Sequence, residues 1–225
     1  MAVSYVGSVT GTTSGTLPAH QANDLIVGFA FRDGSTTLPT VPAGWTTDDS
    51  GAANANCLVL VSKIAASSSE TTGTFTNATS VVFHVYRGID LTTPIGAKAQ
   101  GVSTNTSHTF PALTMQVTDG TSWVGAFIGS RAIDSAIETP PMGMTNRSSV
   151  LDGTDEAAGH DTNGGVSSWS SVGITQGGTT TGSRSVVYEI RAAVATITGT
   201  GSGSMDVTGA AAGAGRLRVV RHPDL

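Results

Sequence analysis

The sequence predicts an all-β protein folded as an antiparallel, jelly-roll-like β-sandwich, and three observations carry that reading. Helix formers such as Leu, Lys, Glu and Gln are scarce, while Thr, Ser, Val and the 29 glycines dominate. Hydrophobic residues reach 38%, enough to build a core in 225 residues, so the chain is not a disordered one. Short apolar or alternating runs recur at close intervals, each bounded by Gly, Pro, Asn, Asp or Ser, as strands bounded by turns do.

Taken in order, the runs place strands near residues 3–9, 24–31, 57–64, 81–87, 97–102, 108–110, 113–117, 123–128, 148–151, 167–174 and 185–191. "LIVGFAF" is apolar almost throughout, which suits a strand at the centre of a sandwich. "PAGW" suits a turn in which Pro42 sets φ and Gly44 takes a positive φ, before the chain re-enters a strand at Trp45. Trp45 then plugs the end of the core with its N–H on a backbone carbonyl; stacking on a sugar is the functional alternative. "SVVFHVYRG" alternates, with Val82, His84 and Tyr86 on one face, so His84 reads as a structural histidine within a strand. Cys57, the single cysteine, excludes an intrachain disulfide and a multi-cysteine zinc site and reads as a buried, inert thiol.

The two halves of the chain echo each other. Arg32 and Arg131 lie 99 apart (131 − 32), as do Pro42 and Pro141, and a one-residue shift brings Phe29 onto Phe127. The approach to Arg87, "SVVFHVYR", is loosely matched by "SVVYEIR" ending at Arg191. These matches suggest two similar half-sandwiches packed face to face, although Gly/Thr/Val-rich sequences also align by chance. Residues 1–192 are taken as the sandwich. Residues 193–225 form a small-residue connector, "GTGSGS" and "GAAAGAG", followed by the alternating basic strand "RLRVVRH". Arg216, Arg218 and Arg221 mark that strand either for addition to a neighbouring subunit's sheet or for protection of an exposed terminal edge.

Chemistry is harder to find. The chain has no phosphate-binding glycine loop, nucleophile elbow or HExxH helix, so no catalytic or cofactor-binding residue is assigned. The densest polar cluster, "LDGTDEAAGHDTNGG", reads as an acidic loop. Asp152, Asp155, Glu156 and Asp161 would be its calcium ligands, but the spacing is not that of an EF-hand, and solvated acidic loops are common. The net charge of −5 and pI near 5.4 argue against a nucleic-acid surface. The apolar runs are far shorter than the roughly 20 residues that span a bilayer as a helix. The N-terminal residues lack the pattern of a secretory signal, so synthesis in the cytoplasm is expected.

"DLIVGFAFRDGS…LPTVPAGWT" followed by "SVVFHVYRGIDLTTPIG" resembles a recurring β-domain of structural proteins in tailed bacteriophages and prophages. The second half, from "SWVGAFIGS" through "PPMGMTNRSS" and "DEAAG", is similar to the same pattern, so the resemblance spans residues 24–191. It rests on strands and corners and carries over no functional residue. It implies a non-enzymatic virion component, tail- or fibre-associated or capsid-decorating, without a cofactor. Such a component is expected to assemble with other virion proteins as a homo-oligomer, a trimer being favoured, and to contact a host-surface glycan. The alternatives are a free carbohydrate-binding module using Trp45, Trp123 or Trp169 as sugar platforms, and a glycan hydrolase.

Overall fold

The computed structural model describes residues 1–131, 139–151, 155–176, 182–197 and 217–219. Two five-stranded antiparallel sheets pack face to face as a β-sandwich. The first holds β1 (Ser4–Gly11), β2 (Leu25–Arg32), β3 (Thr46–Ala53), β4 (Asn56–Ile64) and β5 (Ser80–Arg87), in the spatial order β1-β5-β2-β4-β3. The second uses β6 (Ile95–Ser103), β8 (Trp123–Arg131), β9 (Thr145–Leu151), β10 (Asp155–Asp161) and β12 (Gly182–Ile190), in the order β6-β12-β8-β10-β9. Between these, β7 (Ser107–Phe110) and β11 (Val172–Thr175) pair with each other outside the second sheet.

The strand orders are the same once β6, β8, β9, β10 and β12 stand for β1 to β5. The echo in the sequence is therefore a repeat of topology. Each half keeps its strands in one sheet, so the connectivity is two consecutive units and not a jelly roll's exchange of strands between sheets. Contacts between the sheets are reciprocal, as across a two-fold axis: β1 lies on β9 and β3 on β6, β5 on β10 and β4 on β12, with β2 on β8 at the centre. Phe29 and Phe127 stack across that centre with ring centroids 5.5 Å apart. Phe29 is flanked by Leu60 and Val82, and Phe127 by Gly159 and Val186. From Phe29 to Arg32 is three residues and from Phe127 to Arg131 four, which accounts for the one-residue slip between the alignments.

Three apolar layers result. The inner one joins Leu25, Val27, Phe29, Phe31, Leu58, Leu60 and Val82 to Phe127, Ala157, Val186 and Ile190. Outside the first sheet, Phe75, Trp45, Val41 and Leu17 cover Ile26, Val61, Val81 and Phe83. Outside the second, Phe110, Leu113, Met115, Met144 and Trp169 cover Val124, Ala126, Ile128 and Val187. Central strands buried on both faces need apolar residues at every position, which explains "LIVGFAF". As expected, Val82 and Tyr86 face inward while Val81, Phe83 and Val85 face out.

The strand expected after the Pro42–Trp45 corner is present, and two other stretches depart from the sequence-based expectation. β3, "TTDDSGAA", lies on an edge where polar residues reach solvent, and so lacks an apolar signature. β10, "DEAAGHD", was expected to be a loop but is a fully buried strand. Residues 113–117, expected to form a strand, contribute only the bridge of Leu113 to Trp169.

The corners repeat as well. Gly44 has φ +88° and Gly143 φ +90°, each one residue before the side chain, Trp45 or Met144, that turns under its cover. A Cβ at Gly44 would meet nothing within 4 Å, whereas one at Gly129 would lie 2.3 Å from the Phe31 ring. Gly44→Ala should therefore lose about 1 kcal/mol, from backbone strain alone. Gly129→Ala should lose more, about 1–3 kcal/mol, by forcing the sheets apart. Urea denaturation of both variants checks the order.

Candidate functional site

Two networks of polar side chains lie along the seams where edge strands of opposite sheets meet. At the β1–β9 seam, Arg147 of β9 donates to both carboxylate oxygens of Asp161, each at 2.9 Å, and lies over the Tyr5 ring at 4.2 Å. Tyr86 Oη donates to Asp161 Oδ2 at 3.1 Å, so its lone pairs are left to accept from His84 Nδ1 at 3.0 Å. That assigns the proton of His84 to Nδ1, and Nε2 accepts from Ser148 Oγ at 3.0 Å. Ser148, His84, Tyr86 and Asp161 thus form one directed chain from the second sheet through the first and back.

His84, Tyr86 and Asp161 are fully buried. Burial holds the imidazole of His84 neutral, its pKa well below the ordinary value. Burial, with Tyr188 and the Asp161 carboxylate nearby, raises the Tyr86 phenol well above its own. Gly159 makes this possible, since a Cβ there would stand 2.3 Å from His84 Nε2. A His–Tyr–Asp relay closed inside a core holds two sheets in register; its oxygen and nitrogen atoms are occupied by one another.

The other seam, β3–β6, is built from different residues at the related place. Gln100 Nε2 donates to Asp49 Oδ1 at 2.8 Å and to Ser50 O at 3.0 Å, and Arg184 donates to Gln100 Oε1. At the far end of the interspace, Ser80 Oγ donates to Asp155 Oδ2 at 3.1 Å. Under the second cover, Glu189 accepts from the N–H groups of Ala97, Gln116 and Val117 and from Ser122 Oγ, at 2.8–3.2 Å.

These placements revise the residues singled out from sequence. Asp152 lies outside the described residues. Asp155, Glu156 and Asp161 are on strand β10, not in a loop; Asp155 and Asp161 point inward and Glu156 outward. Strand alternation separates them, and Asp161 is bound by Arg147, so they do not form one oxygen cage. Among the described residues, no group of three His, Cys, Asp or Glu side chains is placed to hold a metal.

Trp123 is 8% exposed in the inner layer and Trp169 8% exposed under Leu113. Trp45 packs on Phe75 and Phe83, beneath the Lys63 ammonium, and donates to Thr72 O at 3.0 Å. That is the core plug with its N–H on a backbone carbonyl. Cys57 is buried beside Thr37 O, and burial raises its thiol pKa. Arg216 and Arg221 lie outside the described residues; Arg218 sits on β14 (Leu217–Val219), which pairs in parallel with β13 (Ala195–Ile197) of the same chain. Arg147, Tyr5, Glu189, His108 and Arg184 were missed, and only the shared face of Val82, His84 and Tyr86 hinted at the relay.

At one end of the sandwich the chain's connections converge. Ala193 N bonds Gly88 O, Ile89 bridges Ala192, and Asp90 pairs with Arg191 at 3.4 Å. Residues 89–93, Ala193 and Val194 line an open groove of about 430 Å³ there. Set against known proteins, the chain matches no family model, no curated protein and no solved structure.

Asp161→Asn leaves the largely buried Arg147 guanidinium without a counter-charge. It should cost about 3 kcal/mol, and the double variant with Arg147→Met less than the sum of the single changes. A double-mutant cycle in urea measures both.

Proposed function

We propose that this chain is a non-enzymatic structural protein of a tailed-bacteriophage virion, a tail- or fibre-associated or capsid-decorating appendage. In this reading it is made in the host cytoplasm and built into the particle as a homo-oligomer. The observation that carries the proposal is the use made of the polar side chains. Ser148, His84, Tyr86, Asp161 and Arg147 of the β1–β9 seam bond in sequence to one another and join two similar sheets, the economy of a rigid shell component. The strand-and-corner resemblance over residues 24–191 supplies the virion context.

The position of the C-terminal segment supports assembly. It leaves the sandwich at Ala192, at the end where β2 and β8 begin. The opposite end carries Asp33, the Asn54–Ala55 turn and the exposed side chain of Val102. Anchoring through one end would leave the other toward the medium and a host-surface glycan. β13 and β14 make a two-stranded parallel ribbon. Two strands alone are marginal, and parallel strands are normally buried on both faces, so the ribbon calls for equivalent ribbons from other copies.

A free carbohydrate-binding module is the second reading. The burial of Trp123 and Trp169, and the packing of Trp45 under Lys63, count against the rings that would serve it.

Light-scattering mass of the full chain and of a version ending at Ala192 tests the assembly. The expected outcome is a trimer or larger closed oligomer for the full chain and a folded monomer for the shorter one. Monomers in both cases would overturn assembly through the C-terminal segment.

A further inference from the structure

We propose that the cover formed by β7, β11 and the segment around Leu113 and Trp169 is an acid-releasable flap over the second sheet, with no counterpart on the first. Two histidines lie at its interface and Phe110 is wedged between them. His108, on the cover, places Nδ1 2.8 Å from Ser183 Oγ and Nε2 2.7 Å from Ser185 Oγ, both on the sheet. His160, on β10 of the sheet, is fully buried and neither ring nitrogen has a hydrogen-bond partner. The Phe110 ring meets both edge-on, with centroids 5.3 Å from His108 and 6.2 Å from His160.

The surroundings offer no compensation for a charge. Toward the cover, β6 presents Ala97, Ala99 and Gly101, and β8 presents Val124, Ala126, Ile128 and Ser130. β12 presents Ser183, Ser185, Val187 and Glu189; β10 presents Glu156, Ala158 and His160. Glu189 lies four residues beyond Ser185 along its strand, and Glu156 four before His160 on its own. Asp161, next to His160 in sequence, turns to the opposite face and binds Arg147, and His84 lies across the sheet. From the cover come Gln176, held by Ser130, and His108 itself. Among the described residues, no carboxylate forms an ion pair with either imidazole.

Both rings are therefore neutral when the cover is closed, and burial brings each pKa down to about 4. The sign follows. A base whose folded pKa is depressed contributes its full share to the closed state above its unfolded value near 6.5, and that share is lost as pH falls toward 4. Full exposure of each ring on opening shifts the equilibrium by roughly two orders of magnitude per histidine between pH 7 and pH 4.

The first sheet's cover rests on Ile26, Ala30, Val61 and Phe83 with no titratable side chain among them, and His20, Lys63 and Glu70 only at its margin. Release is thus confined to one half. It would bare the apolar strip of Val124, Ala126, Ile128, Ala158 and Val187.

Hydrogen exchange of the full chain, read by peptide at pH 7 and pH 4 and corrected for intrinsic rates, tests this. The expected result is a loss of protection of at least tenfold at pH 4 in residues 107–117 and 166–176, with 25–31 and 58–64 still protected. His160→Leu and His108→Gln should each move the release to lower pH. Uniform loss of protection, a cover still protected at pH 3.5, or variants that open at the wild-type pH would overturn the flap. Should one variant fail to fold at pH 7, the other and the wild-type profile decide.

Discussion

Everything in this molecule depends on how closely two sheets can approach at their shared centre. Phe29 and Phe127 stack there, and on either side a ring from the first sheet lies over a glycine of the second: Phe31 over Gly129 and His84 over Gly159. Without those glycines the rings would hold the sheets apart, and the seams could not close. With them, bulky residues on one side meet backbone on the other, which is how a core reaches crystal-like density.

Close approach brings polar groups along with apolar ones, and the two seams deal with them differently. At β1–β9 a full ionic and hydrogen-bonded chain forms around Asp161; at β3–β6 an amide and a guanidinium do the bridging. The halves repeat in topology but not in chemistry, so each seam recognises the other half in one way only. Specific pairing of two similar sheets needs that difference, because apolar faces alone would accept several registers.

The same asymmetry runs through the outer covers. The first is held by Trp45 and Phe75, the second by histidines, serines and Glu189. One half is therefore fastened by packing and the other partly by groups whose charge depends on pH. For a protein read as a virion component, the sandwich is the constant part, and the C-terminal segment and the second cover are where assembly and environment can act on it.

Central strands were legible in sequence because burial on both faces demands continuous apolar residues, and the corner at Pro42–Trp45 because Gly44 needs a positive φ. The repeat showed through the spacing of Arg32/Arg131 and Pro42/Pro141 and through the matched approaches to Arg87 and Arg191. What the sequence could not convey was β10: "DEAAGHD" has the composition of a solvated loop, and it is a strand only because Ser80, Tyr86 and Arg147 reach it from elsewhere in the chain. The tryptophans, candidates for a sugar site, were assigned to the core by their neighbours and not by their own type. Sequence alone therefore determined the class, the strand-rich halves and their punctuation, since these follow from local propensity and period. Tertiary structure decided which polar residues lie inside, because a buried charge is permitted only by a partner that folding brings to it.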